Sequence, residues 1–274
     1  MQAHPAVNLV RELPLWPEKA TPCASPDDAP FPTLHYYLPS PEFRTGQTVL
    51  LLPGGGYGLV SLPKEGHRPA MWLSAHGIAA AVLAYRHAPQ RYPVPLLDAQ
   101  RAIRVLRDTA RREDLDPDAV GAMGFSAGGH LCGLLATQPP HPDGLVGDAP
   151  DTLSCRPDFA ALIYPVVSMC NPDTAHTGSR NNLVGPDAAP ELLRTLSIDH
   201  SVSSSTPPCF LFHTLEDETV SPHNTLDLAN ALLRHGVPFA CHIEPKGGHG
   251  IGIGRMALWM EPFRRWLTED VPQL

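Results

Sequence analysis

Residues 119–131, Ala-Val-Gly-Ala-Met-Gly-Phe-Ser-Ala-Gly-Gly-His-Leu, divide into an apolar run, a G-x-S-x-G pattern at Gly124–Gly128, and the opening of a helix. The run Ala119–Phe125 is apolar without alternation, as expected of a strand buried on both faces. Ala127–Thr137 then reads as a helix. A serine between such a strand and such a helix occupies a very tight turn that lifts its hydroxyl above the sheet. Large side chains two residues to either side would collide, and the glycines avoid this. Because the helix starts at once, its unpaired N–H groups face whatever reacts with Ser126. The plainer alternative is a serine N-cap, with glycines present only for close packing.

Outward from this point the chain alternates. Leu34–Leu38, Gln47–Leu52, Ile78–Tyr85, Phe159–Tyr164, Cys209–Thr214 and Pro238–Glu244 read as strands. Lys64–His76, Asp98–Arg111, Asn224–His235 and Met256–Thr268 read as helices. Asp98–Arg111 is the clearest, with Ala99, Ala102, Ile103, Leu106 and Ala110 at helical spacing and arginines on the other face. Non-alternating strands separated by helices predict an α/β fold, a mostly parallel sheet covered on both faces, with ligands at the carboxyl ends of the strands. Residues 34–274 read as one domain and 1–33 as a proline-rich arm over the surface. The stretches 138–157 and 168–207 read as small loop insertions over the site.

Composition narrows the function. The chain has 274 residues, 43% of them apolar, and a net charge of −8, which excludes a global basic field for nucleic acid. No apolar run approaches the ~18 residues that span a membrane. The cysteines lack CxxC spacing, which removes zinc ribbons and thioredoxin motifs. No basic stretch followed by an apolar one opens the chain, so the expectation is a cytoplasmic protein with reduced thiols. A homo-oligomer is compatible with all of this.

A serine hydroxyl is a weak nucleophile and needs a base. His249, in Lys246-Gly-Gly-His-Gly250, follows the last strand with glycines on both sides that leave its ring free to swing. His130, His213, His235 and His242 fall within helices or strands or at their ends, and read as packing or turn residues. A carboxylate is then needed to orient the base, and Asp217 follows the strand Cys209–Thr214. Its neighbours Glu216 and Glu218 read as solvated turn carboxylates. The order Ser126, Asp217, His249 is the order that the strand-turn-helix serine motif requires.

Pro53-Gly-Gly-Gly-Tyr57 follows the strong strand Gln47–Leu52 and resembles the H-G-G-G stretch of lipases and esterases, with proline in place of histidine. That likeness assigns the N–H groups of Gly55, Gly56 and Ala127 to an oxyanion hole. A phosphate cradle is the competing reading, but no G-K-[ST] completes it.

Taken together, PGGGY (53–57), Glu65-Gly-His67, Tyr85-Arg86, Tyr92-Pro93, GFSAGGHL (124–131), Arg156-Pro-Asp158, Tyr164-Pro165, Asp217 with Val220, and GGHG (247–250) are similar to the bacterial acetylxylan-esterase and feruloyl/acetylxylan-esterase-like group of α/β hydrolases. The resemblance implies an α/β-hydrolase fold without a large cap. It implies a serine esterase that removes acetyl groups from a small acylated carbohydrate and needs no metal or other cofactor. It also makes Tyr57, on the acyl side, and Glu65 and His67, near the pocket mouth, candidate substrate-binding residues, with a structural salt bridge or a helix start as the competing role for Glu65 and His67. Thr214 stands where the group usually has glycine. An arylformamidase and a non-catalytic binding protein of the same fold are the alternatives. A prolyl-oligopeptidase-type peptidase would need a propeller or a long N-terminal domain.

Overall fold

The computed structural model describes residues 9–17, 21–23, 31–250 and 256–271. Strands β1 (Leu9–Pro14), β2 (Thr33–Leu38), β3 (Thr48–Leu52), β4 (Ala79–Ala84), β5 (Val120–Phe125), β6 (Ala160–Ile163), β7 (Cys209–Thr214) and β8 (Phe239–Glu244) form one eight-stranded sheet. Its order is β1-β2-β4-β3-β5-β6-β7-β8, with β2 antiparallel to both of its neighbours, β1 and β4, and every other pairing parallel. Successive residues of a strand point to opposite faces, and here both faces are covered. Leu50 and Leu52 of β3 pack into one apolar cluster, Val49 and Leu51 into the other. This is why the run is apolar throughout.

Helices α1 (Arg68–Ala75) and α8 (Met260–Arg265) cover one face through Ala70, Leu73, Met260 and Phe263. Helices α2 (Val94–Arg112), α3 (Ala127–Thr137) and α7 (His223–Arg234) cover the other. The sequence placed the start of α2 at Asp98, but it begins four residues earlier. Pro95 sits in the first turn, where a missing N–H costs nothing, and Leu96 and Leu97 are buried.

Two expectations about connections change. The arm supplies the edge strand β1, in register Leu9↔Leu38 to Pro14↔Thr33, and is tied to α2 beyond it. The Trp16 Nε1–H donates to Asp98 Oδ1 at 2.8 Å, and Arg101 Nε–H donates to the Leu15 carbonyl at 2.9 Å. Asp98 also holds Arg86 in a buried ion pair, Nη2 to Oδ1 at 2.7 Å. The stretch 138–157 does not lie over the site. It follows α3, at the amino ends of the strands, and is fastened to α2 by Arg101 with Asp148 and Asp151 and by Arg107 Nε–H to the Ser154 carbonyl. The stretch 168–207 does cross the carboxyl ends, and carries α4 (Thr177–Val184), α5 (Pro190–Thr195) and α6 (Ile198–Ser201). All six cysteines are free thiols. Among the described residues no helix is long and apolar enough to cross a membrane.

Candidate active site

Ser126 sits between β5 and α3 with φ 54° and ψ −118°, a left-handed conformation that a non-glycine residue rarely adopts. The backbone holds it there. Ser126 N–H donates to the Ile163 carbonyl, and its own carbonyl accepts from His130 and Val166 N–H. The turn is as crowded as the sequence required, for a Cβ on Gly124 would lie 2.1 Å from the Gly128 carbonyl oxygen, and one on Gly128 would lie 2.0 Å from that of Leu52. The hydroxyl does not cap α3. Instead Oγ lies 2.9 Å from His249 Nε2.

His249 follows β8 on a loop laced to the end of β7. Thr214 Oγ1 donates to the Gly247 carbonyl at 2.7 Å, and Gly247 N–H donates to Glu216 Oε2 at 3.0 Å. Thr214 and Glu216 thus both tie the end of β7 to the loop that carries His249. His249 Nδ1 lies 2.7 Å from Asp217 Oδ2. With a carboxylate at Nδ1, the proton belongs on Nδ1, which leaves Nε2 to accept from the serine hydroxyl.

Asp217 is saturated by four donors. Oδ1 accepts from Thr219 N–H at 3.0 Å and Val220 N–H at 2.9 Å, and Oδ2 accepts from His249 and, at 3.2 Å, from His213 Nε2–H. Burial works against the charge, but the bonds from His213, His249 and Val220 outweigh it and hold the carboxyl well below the usual range. The sequence reads His213 as a turn or core residue. Its Nε2 faces two acceptors, Asp217 and the Val220 carbonyl, so it carries the proton there, and Nδ1 accepts from Thr225 Oγ1–H at 2.7 Å. Only its i, i+4 spacing to Asp217 hinted at this contact.

The glycine loop is fixed from behind. The carbonyls of Gly54, Gly55, Gly56 and Tyr57 accept, respectively, from Ser61 N–H, from Gly58 and Leu59 N–H, from Asn182 Nδ2–H at 2.8 Å, and from Ala88 N–H. In a trans peptide the C=O and the next N–H point in opposite directions. Anchoring those carbonyls therefore turns the N–H groups of Gly55 and Gly56 the other way. Among the described residues neither these nor the Ala127 N–H is paired, whereas Gly54 N–H is taken by Glu65. Gly54 passes close to the serine, since a Cβ on it would lie 3.0 Å from Ser126 Cβ. Asn182, on α4, was not singled out from the sequence because its partner is a backbone carbonyl far away in the chain.

The three candidate substrate-binding residues are all engaged in internal hydrogen bonds, which gives Glu65 and His67 the structural role that competed with substrate contact. Tyr57 is fully buried, and its hydroxyl lies 2.8 Å from His130 Nδ1. Glu65 is 8% exposed and sits behind the loop, with Oε2 accepting from Gly54 N–H and Oε1 from Tyr164 Oη–H. His67 Nδ1 lies 2.8 Å from Tyr37 Oη on β2, three strands from β5 and so about 14 Å across the sheet. Each lies in or just after the glycine loop, but its side chain turns into the packing. Closer to Ser126, His249 and Asp217 are Tyr164, whose ring stands edge-on to that of His249 at 5.0 Å between centroids, and His176, which interacts electrostatically with His249 and Asp217. Among the described residues no cluster of His, Cys, Asp or Glu is arranged to hold a metal ion.

His130 joins Tyr57 to the insertion, with Nε2–H donating to the Leu196 carbonyl at 2.8 Å. Complete burial pushes its pKa down to about 4. An unfolded histidine titrates near 6.5, so between those values the unfolded chain binds the extra proton. Stability is therefore expected to fall as pH drops from about 6.5 to 4, by on the order of 3 kcal/mol from this residue. Urea unfolding at pH 7 and pH 4.5 checks this, with a His130→Gln chain expected to lose less over the same interval.

The BD-FAE family profile matches residues 34–232. The chain is 35% identical over 228 residues to endo-1,4-beta-xylanase B of Butyrivibrio fibrisolvens, covering 81% of this chain and 35% of that protein. It is 33% identical over 218 residues to the acetylxylan esterase of Xylanibacter ruminicola, covering 78% and 43%. It thus spans well under half the length of these curated relatives. Among solved structures, an acetyl ester-xyloside bifunctional hydrolase from Caldicellulosiruptor lactoaceticus superposes with a TM-score of 0.85 at 39% identity, covering 96% of this chain and 94% of that one.

Proposed function

The chain belongs to the BD-FAE family and has an α/β-hydrolase fold, and on that premise we propose that it is a serine carboxylic-ester hydrolase that removes acetyl groups from xylan-derived or related oligosaccharides. One observation carries the reading, the unbroken series of contacts from Ser126 Oγ through His249 to Asp217, beside unpaired N–H groups of the glycine loop. The acetylxylan esterase and the acetyl ester-xyloside hydrolase among its relatives supply the substrate class.

In the proposed reaction His249 Nε2 takes the Ser126 proton as Oγ attacks the ester carbonyl carbon. The carbonyl oxygen becomes an oxyanion and is met by the N–H groups of Gly55, Gly56 and Ala127. His249 returns the proton to the departing alcohol oxygen as the C–O bond breaks, which leaves an acetyl-serine. Water, deprotonated by the same nitrogen, attacks that ester, and as the bond from the acyl carbon to Oγ breaks the proton passes from Nε2 to Oγ, releasing acetate and restoring Ser126. Asp217 keeps the ring in the required tautomer and stabilises the imidazolium at each stage.

Rates on nitrophenyl acetate, butyrate and octanoate, with acetylated xylo-oligosaccharides and N-formylkynurenine alongside, test the substrate. Acetate esters and acetylated xylo-oligosaccharides are expected to be hydrolysed fastest. A preference for octanoate would overturn the short acyl group, and a preference for N-formylkynurenine would favour the arylformamidase alternative.

A further inference from the structure

Glu65 is a buried carboxylate for which neither the fold nor the triad accounts. It lies in the π-type turn Leu62–His67, just after the glycine loop. Burying a carboxylate is costly unless it is paired, yet among the described residues it makes no ion pair. Its two hydrogen bonds do not demand a charge, because a glutamine could accept from Gly54 N–H and donate to the Tyr164 oxygen. Its location is more telling. A Cβ on Gly54 would fall 2.8 Å from Glu65 Oε2 and 3.0 Å from Ser126 Cβ. The other oxygen holds Tyr164 at 2.9 Å, and that ring forms one wall of His249.

We propose that Glu65 is a positioning residue for the acyl-transfer reaction, its ionised carboxylate orienting the start of the oxyanion loop, holding Tyr164 against the His249 ring, and favouring the positive charge that His249 carries in the transition state. This rests on Ser126 and His249 being the reacting pair. The ionisable groups around Glu65 are Lys64 beside it, Tyr85, Tyr164 and His249. Those around His249 are Asp217, Glu65 and His176, with Tyr164 forming its aromatic wall. Burial raises the pKa of Glu65, while Tyr164, Gly54 N–H, His249 and Lys64 oppose the rise. Burial and the adjacent Glu65 raise the Tyr164 phenol well above its ordinary value, so it remains a donor.

Glu65→Gln preserves shape and removes the charge. Its kcat on nitrophenyl acetate is expected to fall roughly ten- to a hundredfold with KM nearly unchanged. Removing a nearby negative charge makes a cationic imidazole less favourable, so the acid limb of the kcat/KM profile is expected to move to lower pH. The same downward shift is expected for the His249 imidazole followed by NMR in a Ser126→Ala background, where no turnover is needed. A folded Glu65→Gln protein with unchanged kcat and an unmoved His249 titration would overturn the proposal. If that variant does not fold, Tyr164→Phe, which removes only the hydroxyl, tests the linkage. A several-fold loss of kcat supports it and wild-type kcat refutes it. Full activity in Ser126→Ala would instead refute the reacting pair, a failure separate from that of Glu65 because the NMR titration still reports on Glu65.

Discussion

Ser126→Ala is expected to lower turnover of nitrophenyl acetate by about 10⁵- to 10⁶-fold, the scale seen when a nucleophile is removed from a triad that works as a unit. The midpoint of urea unfolding is expected to stay where it is. The substitution deletes one oxygen, which lies 2.9 Å from His249 Nε2 and does not cap α3. The tight turn is held by backbone bonds to Ile163, His130 and Val166, and these do not involve the hydroxyl. Alanine also meets the same steric cost as serine at φ 54°. Activity assays, unfolding curves and labelling of the purified protein by a fluorophosphonate make the test. Wild-type turnover in the variant, or a wild-type serine that does not label, would remove the nucleophile from position 126.

Asp217→Asn is expected to cost about 10⁴-fold in kcat and, unlike the serine substitution, to destabilise the fold. Four N–H donors converge on the Asp217 carboxylate. Asparagine presents one oxygen, and its amide N–H₂ must face either the two histidines or the two backbone donors. One pair is then left without an acceptor in a buried setting, at about 1–3 kcal/mol per group. If the amide faces the histidines, His249 also takes up the wrong tautomer, with Nε2 protonated and unable to accept from Ser126. The stability loss has a pH signature. The pKa of Asp217 is lowered in the fold, so its contribution is complete above the unfolded value near 3.9 and fades as pH falls through the folded value. The gap between wild type and Asp217→Asn in urea is thus expected to be constant from pH 7 to about 4.5 and to narrow below pH 3.5. A constant gap at pH 3 would contradict the lowered pKa.

Much of the fold was legible because its strands are buried on both faces. Apolar runs such as Thr48–Leu52 and Cys209–Thr214 cannot be mistaken for surface segments, and the glycines at 124 and 128 admit few turns other than the one they make. The meeting of Ser126, Asp217 and His249 could be read from chain order, because a parallel sheet delivers the end of every strand to the same edge. Side-chain direction was not legible. Tyr57, Glu65 and His67 all follow the glycine loop, and each turns to a partner distant in sequence, His130, Tyr164 and Tyr37. The strand Leu9–Pro14 was hidden by the prolines after it, since pairing with β2 depends on a register no local pattern announces. The stretch 138–157 was misplaced because a helix, and not a strand, precedes it.

That first strand bears on how the molecule can be cut. Trimming to residue 34, where the family profile begins, would strip the hydrogen-bonding flank of β2 and leave a bare row of amides and carbonyls inviting another chain to pair. It would also take Trp16 from Asp98 and the Leu15 carbonyl from Arg101. Shortened versions intended for crystallisation or fusion should keep residues 9–17, for without them the polypeptide is primed to clump.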